Sequence, residues 1–119
     1  MIRTMTALSL AALAALPALA VELVMVEQPG CIYCERWDKE IAPAYPKTAE
    51  GKFAPLRRVD IDEPLPADLT DISPIVFTPT FVVVENGKEI SRLVGYPGED
   101  FFWPLLAREL VKLPEPCPN

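Results

Sequence analysis

Leu23-Val24-Met25-Val26 runs as a short apolar strand, Pro29-Gly30 turns the chain, and Cys31-Ile32-Tyr33-Cys34 opens an amphipathic stretch. Two cysteines separated by two residues at a strand-to-helix turn can close into a disulfide and open again. The first turn of a helix leaves backbone N–H groups unpaired, and together with the helix dipole they stabilise an anion. A thiol there ionises more readily and becomes the attacking sulfur. These residues therefore imply dithiol redox chemistry, with Cys31 in front and Cys34 one helical turn behind it.

Outward from this motif, Val21 to Glu27 reads as a buried strand. Cys31 to about Ile41 reads as a helix, with Ile32, Trp37 and Ile41 expected on the apolar face and Pro43 and Pro46 ending it. Ala54 to Ile61 forms a second strand, and the connection to Asp71 leaves room for a short helix around Ala67 to Ile72. Thr80 to Glu85 and Lys88 to Val94 flank Asn86-Gly87, a strong hairpin signal because both residues tolerate positive φ. Glu99 to Leu113 closes as a helix with acids first and Arg108 and Lys112 last, matching the dipole; Pro104 fits only near the first turn. The order β-α-β-(α)-β-β-α gives an α/β fold: a mixed four-stranded sheet with helices expected on both faces.

Arg3, the Ala- and Leu-rich run from Met5 to Leu16, and Ala18-Leu19-Ala20 have the form of an export signal cleaved near Ala20. The alternative is an uncleaved helix. The organisation expected is therefore a signal at 1–20, one domain at 21–113 and an extended, flexible tail at 114–119. Removing the signal takes away Arg3 alone, moving the balance from 11 basic against 17 acidic residues to 10 against 17, a net charge of −7. Such a surface argues against nucleic acid and against anionic membranes. Arg57-Arg58, the longest basic run, reads as a solvated strand edge.

Three cysteines and no histidine make a poor zinc ligand set, since zinc wants four donors, so no metal is expected. A permanent structural disulfide is also open, although so short a loop stabilises little. Cys117 reads as a tail residue that could pair outside the chain. Phe77-Thr78-Pro79-Thr80-Phe81 carries a second signal. Taken alone, Pro79 is an ordinary trans proline opening a strand. Taken with the cysteines upstream, it reads as a cis proline in a turn beside them, with the Thr78 backbone exposed to an extended substrate.

Together, the Cys31–Cys34 motif, the Thr78-Pro79 turn, the Asn86-Gly87 hairpin and Gly95-Tyr96-Pro97-Gly98 resemble the thioredoxin superfamily over Val21 to Leu113. The size and Tyr33 are glutaredoxin-like; Thr78-Pro79-Thr80-Phe81 and the strand after it are thioredoxin-like. Among exported members, the chain is most similar to periplasmic thioredoxins associated with bacterial sulfur oxidation. The resemblance implies a minimal thioredoxin (glutaredoxin-like) fold and a reductase of protein disulfides, acting as a monomer without a cofactor. It implies Cys31 as nucleophile, Cys34 as resolving thiol, Thr78 and Pro79 as substrate contacts, and Gly95 as a point of close approach to the site. Tyr33 and Tyr96 either flank the substrate groove or pack half-buried; Phe101, Phe102 and Trp103 anchor the last helix. Electrons would come from a membrane thiol-reductant transporter. Sulfur-oxidation proteins would be the targets, such as the cysteine of the carrier SoxY. A cytochrome c maturation reductase and a non-catalytic binding module are the competing expectations.

Three positions depart from the family pattern. Gly30 replaces the tryptophan that thioredoxins place before the first cysteine. Met25 replaces their buried acid, which leaves water or Glu27 to serve the proton on Cys34. Gly95-Tyr96-Pro97-Gly98 does not match the Gly-Gly-x-Asp signature with which glutaredoxins hold glutathione.

Overall fold

The computed structural model describes residues 21–117. The expected export signal lies outside the described residues, as do the last two residues of the tail. The elements are β1 (Val21–Glu27), α1 (Ile32–Glu40), a 3-10 turn (Tyr45–Lys47), α2 (Ala49–Phe53), β2 (Leu56–Asp60), β3 (Thr80–Glu85), β4 (Lys88–Val94) and α3 (Glu99–Leu110). The sheet order is β2-β1-β3-β4. β1 runs parallel to β2 and antiparallel to β3, and β3 pairs antiparallel with β4. Asn86 and Gly87 turn the β3–β4 hairpin at φ 51° and 81°.

Alternation along the strands sorts the core into two layers. Leu23, Met25, Phe81, Val83 and Leu93 face one way and pack with Trp37 of α1, Ile41 at its C-cap, and Phe102, Leu106 and Leu110 of α3. Trp37 is the hub: its ring lies 5.2 Å from that of Phe81 and 5.9 Å from that of Phe102. Truncating so large a buried ring costs about 3–5 kcal/mol. Val24, Val26, Val59, Val82 and Val84 face the other way.

No described helix covers that second face. The loop from Ile61 to Phe77 crosses it, inserting Leu69, Ile72 and Ile75. The helix expected around Ala67 to Ile72 is absent; a turn at Ala67 and Asp68 and a single bridge from Asp71 to Lys88 form there. Pro64, Pro66 and Pro74 bracket the segment and deny it a run of helical N–H donors. The loop is tied at both sheet edges instead. Asp68 accepts two bonds from Arg57 of β2, at 2.6 and 2.7 Å. Arg92 of β4 donates to the carbonyls of Ser73 and Pro74 at 2.9 and 3.1 Å.

Further differences from expectation have simple causes. Ile32 is exposed, not core: Cys34, Trp37 and Ile41 form the buried face of α1, spaced three and four apart, and Ile32 stands five before Trp37. Arg57 and Arg58 are not a bare solvated edge, since both hold carboxylates. Pro104 sits in the second turn of α3, where the carbonyl it leaves unpaired belongs to the exposed Asp100. Phe102 is buried and Trp103 stacks on Tyr45, whereas Phe101 is exposed. Beyond α3 the chain bends: Leu113 is buried and the Cys117 sulfur lies 4.0 Å from the Ala49 carbonyl.

Candidate active site

Cys31 caps α1. Its backbone is extended, its sulfur accepts a hydrogen bond from the Cys34 N–H at 3.1 Å, and its carbonyl accepts the Glu35 N–H. The turn into it places Gly30 at φ 78°, and the Cys31 N–H donates back to the Gln28 carbonyl. Cys31 and Cys34 are joined by a disulfide with Cα atoms 5.2 Å apart. Cys31 is partly exposed; Cys34 is 4 % exposed and belongs to the main core. One sulfur can be reached from solvent and the other is shielded behind it.

The Thr78–Pro79 peptide bond is cis. Thr80 braces this turn by donating from its hydroxyl to the Phe77 carbonyl at 2.7 Å. The Pro79 carbonyl accepts the Gly95 N–H at 2.8 Å, joining the start of β3 to the end of β4. Gly95 is needed for its φ of 84°. A Cβ there would meet nothing within 4 Å, so close approach is not its reason.

Tyr33, Thr78, Pro79, Gly95, Tyr96 and Pro97 thus line one groove of about 530 Å³, with the side chains of Leu93, Val94 and Leu105. All the residues expected to contact substrate converge there. Tyr33 is exposed, but Tyr96 is buried and donates from its hydroxyl to Glu40 at 2.7 Å. Burial, with the hydroxyl's bond to Glu40, pushes the Tyr96 phenol far above its ordinary range. The groove is flanked by apolar side chains that the sequence reading did not assign to the site. Ile32 is 69 % exposed, and Val76 and Phe77, next to Thr78, are 79 % and 67 % exposed. Three exposed aliphatic or aromatic side chains beside a reactive pair mark a contact surface.

A second cleft, of about 230 Å³, reaches both sulfurs from another side and is lined by Glu27, Glu35, Asp38 and Asp60. Arg58 holds two of these carboxylates, bonding Glu27 at 2.5 Å and Asp38 at 2.7 Å while its guanidinium lies over the Trp37 ring. Met25, at the position of the missing acid, is fully buried beside Arg58. A third cavity, of about 190 Å³, lies under the loop on the opposite sheet face between Val26, Val59 and Ile72 and touches neither sulfur. Among the described residues no cluster of His, Cys, Asp and Glu is arranged to hold a metal.

A family model for the thioredoxin-like domain matches residues 15–109. The crystal structure of the periplasmic thioredoxin SoxS from Paracoccus pantotrophus, in its reduced form, is similar with 55 % sequence identity and a TM-score of 0.75. The match covers 77 % of this chain and 97 % of that one. No curated protein matches. A thioredoxin-like domain over most of the sequence, a mixed four-stranded sheet and a Cys-X-X-Cys disulfide at the head of α1 leave one conclusion: the chain belongs to the thioredoxin-like family and is a thiol–disulfide oxidoreductase.

Proposed function

We propose that this oxidoreductase reduces protein disulfides in the periplasm and serves sulfur-oxidation proteins. The observation that carries the reading is the pairing of an accessible Cys31 with a buried Cys34, beside a groove bordered by the Thr78–Pro79 turn. In the reduced enzyme, the Cys31 thiolate attacks one sulfur of a substrate disulfide. A mixed disulfide forms and the other substrate sulfur leaves as a thiolate, which takes up a proton. Cys34 loses its proton and attacks the Cys31 sulfur. The intramolecular disulfide closes and the second substrate thiol leaves. Two electrons have passed to the substrate, and a membrane thiol-reductant transporter returns them. Thr78, Pro79 and Gly95 hold the substrate backbone, and Tyr33 packs on it.

The periplasmic address draws on the export-type segment at 1–20, with the domain at 21–113 following its removal. It draws also on the location named for the similar Paracoccus protein. The sulfur-oxidation role draws on that protein being a SoxS, and the carrier SoxY is the candidate substrate.

The test is a trap. Cys34→Ser expressed with its export signal should accumulate mixed disulfides that dithiothreitol releases, with the carrier among them; Cys31→Ser should trap nothing. Recovery of apocytochrome instead would move the enzyme to cytochrome c maturation. Failure of the purified protein to speed insulin reduction by dithiothreitol would leave a binding module.

A further inference from the structure

The groove beside the cysteines is not held by the sheet alone. Glu40, the last residue of α1, accepts the Tyr96 hydroxyl on one carboxylate oxygen at 2.7 Å. Its other oxygen lies 3.6 Å from Arg36 Nε, and the Arg36 guanidinium sits over the Tyr33 ring at 6.0 Å. Tyr33 is one wall of the groove and Tyr96 another. Tyr96 follows Gly95, whose N–H binds the Pro79 carbonyl in the third wall. Tyr33, Arg36, Glu40, Tyr96, Gly95 and Pro79 therefore form a continuous run of contacts that joins the walls of the groove. Among the described residues, the Glu40–Tyr96 link is the side-chain hydrogen bond that ties the far end of the redox helix to the loop after β4.

We propose that Glu40 and Tyr96 form a positioning pair that fixes the groove's shape for an extended polypeptide, so that the enzyme prefers protein disulfides to small ones. Tyr96 is 5 % exposed and its ring packs edge-on against Phe102, so the hydroxyl's direction is set by the core. Gly95 and Gly98, both at positive φ, bracket Tyr96 and Pro97, and the hydroxyl's bond to Glu40 is the tie between this loop and α1. Without the hydroxyl's partner, the walls at Tyr96 and Pro97 lose their fixed distance from Tyr33. A polypeptide touching several walls at once loses binding, because ordering the loop now falls to the binding step. A small disulfide, which needs only the sulfur, loses little. Neither residue touches the reacting atoms.

This proposal rests on the groove being the substrate's seat, and the experiment separates the two. Steady-state reduction of a disulfide-bonded polypeptide is measured for Glu40→Ala, Glu40→Gln, Tyr96→Phe, the double variant Glu40→Ala/Tyr96→Phe, and Val94→Asp in the groove. Glu40→Ala and Tyr96→Phe should each raise KM about fivefold, on the scale of one hydrogen bond, with kcat little changed. The double variant should match either single one, because both remove the same bond. Glu40→Gln, whose amide oxygen still accepts the hydroxyl, should recover most of the affinity. The kcat/KM for a small disulfide, oxidised glutathione, should stay within about twofold of wild type, and an equal loss with both substrates would overturn the preference. Unchanged KM in Glu40→Ala and Tyr96→Phe, or additive losses in the double variant, would overturn the pair while Val94→Asp still weakens binding. If Val94→Asp also leaves KM unchanged, the groove reading itself fails.

Discussion

The N–H of Cys34 points at the sulfur of Cys31 from 3.1 Å, so the residue that caps the helix is also the residue that carries the chemistry. In most helices a hydroxyl or carboxylate accepts that orphan N–H. Here a sulfur does, and the bond strengthens when the sulfur becomes an anion. Cys117 stands in the opposite situation: partial burial and then Glu50 push its thiol upward. After full reduction, Cys31 should therefore react with iodoacetamide at pH 6–7 about tenfold faster than Cys117, or more. Mass mapping of the alkylated sites reads this directly. Equal rates would show that the helix terminus does not hold the anion.

The loop that ends at Thr78 is fastened by an acid. Glu89 accepts two hydrogen bonds from Arg92, at 2.6 and 2.7 Å, and one from the Ser73 N–H at 3.0 Å. Arg92 first, with the Ser73 amide helping, holds the Glu89 carboxyl below its ordinary value. A depressed carboxylate stabilises the fold fully above its unfolded pKa, and the contribution is lost as pH falls through the folded one. Wild type should thus exceed Glu89→Gln by about 1 kcal/mol in urea unfolding at pH 7. The gap should shrink progressively below the ordinary carboxylate range of about pH 4.3. A gap that stays constant down to pH 3 would remove the ionised carboxylate from the account.

Two glycines should respond differently to alanine. A Cβ on Gly51 would lie 1.8 Å from the Tyr45 carbonyl oxygen, where α2 stacks on the 3-10 turn. The neighbour is backbone and cannot step aside, so Gly51→Ala should lose about 3 kcal/mol or more. Gly95→Ala meets open space and faces only the cost of a left-handed backbone, about 1–2 kcal/mol. Its melting transition should stay cooperative, with the larger defect in substrate KM. Equal destabilisation of the two variants would contradict this ordering.

The parts of the fold legible in the sequence are those where a local rule and the tertiary fold agree. Asn86-Gly87 turns as its φ preferences require, and the cysteines sit on a strand-to-helix turn because Gly30 permits it. The second-face covering was not legible. Leu69, Ile72 and Ile75 are spaced as a helical stripe would be, yet prolines and long-range ties to Arg57 and Arg92 hold them as a loop. α2 was missed because it is only five residues long; its one signal is Thr48, whose hydroxyl accepts the Gly51 N–H. Of the site, the cysteines and the Thr78–Pro79 turn were readable because each is a local motif. Arg58 and Glu40 were not, because their partners lie 20 and 56 residues away in sequence, in Asp38 and Tyr96.

Arg58 leads to the last prediction. Four carboxylates line the cleft that reaches both sulfurs, and a thiolate on Cys31 adds another negative charge to that rim. Arg58 is the cation that offsets them, paired with Glu27 and Asp38. Arg58→Met keeps much of the stem's packing on Trp37 but leaves both acids uncompensated. The Cys31 thiolate becomes harder to form, so its alkylation–pH curve should move upward and its rate at pH 6 should fall on the order of threefold. Salt should narrow the difference, since the cleft is open to solvent. Arg58→Lys keeps the charge but not the two-pronged geometry, so it should lie closer to wild type in reactivity than in stability. If Arg58→Met reacts as wild type does while unfolding earlier in urea, the arginine is a strut between β1, β2 and α1 and has no hold on the sulfur.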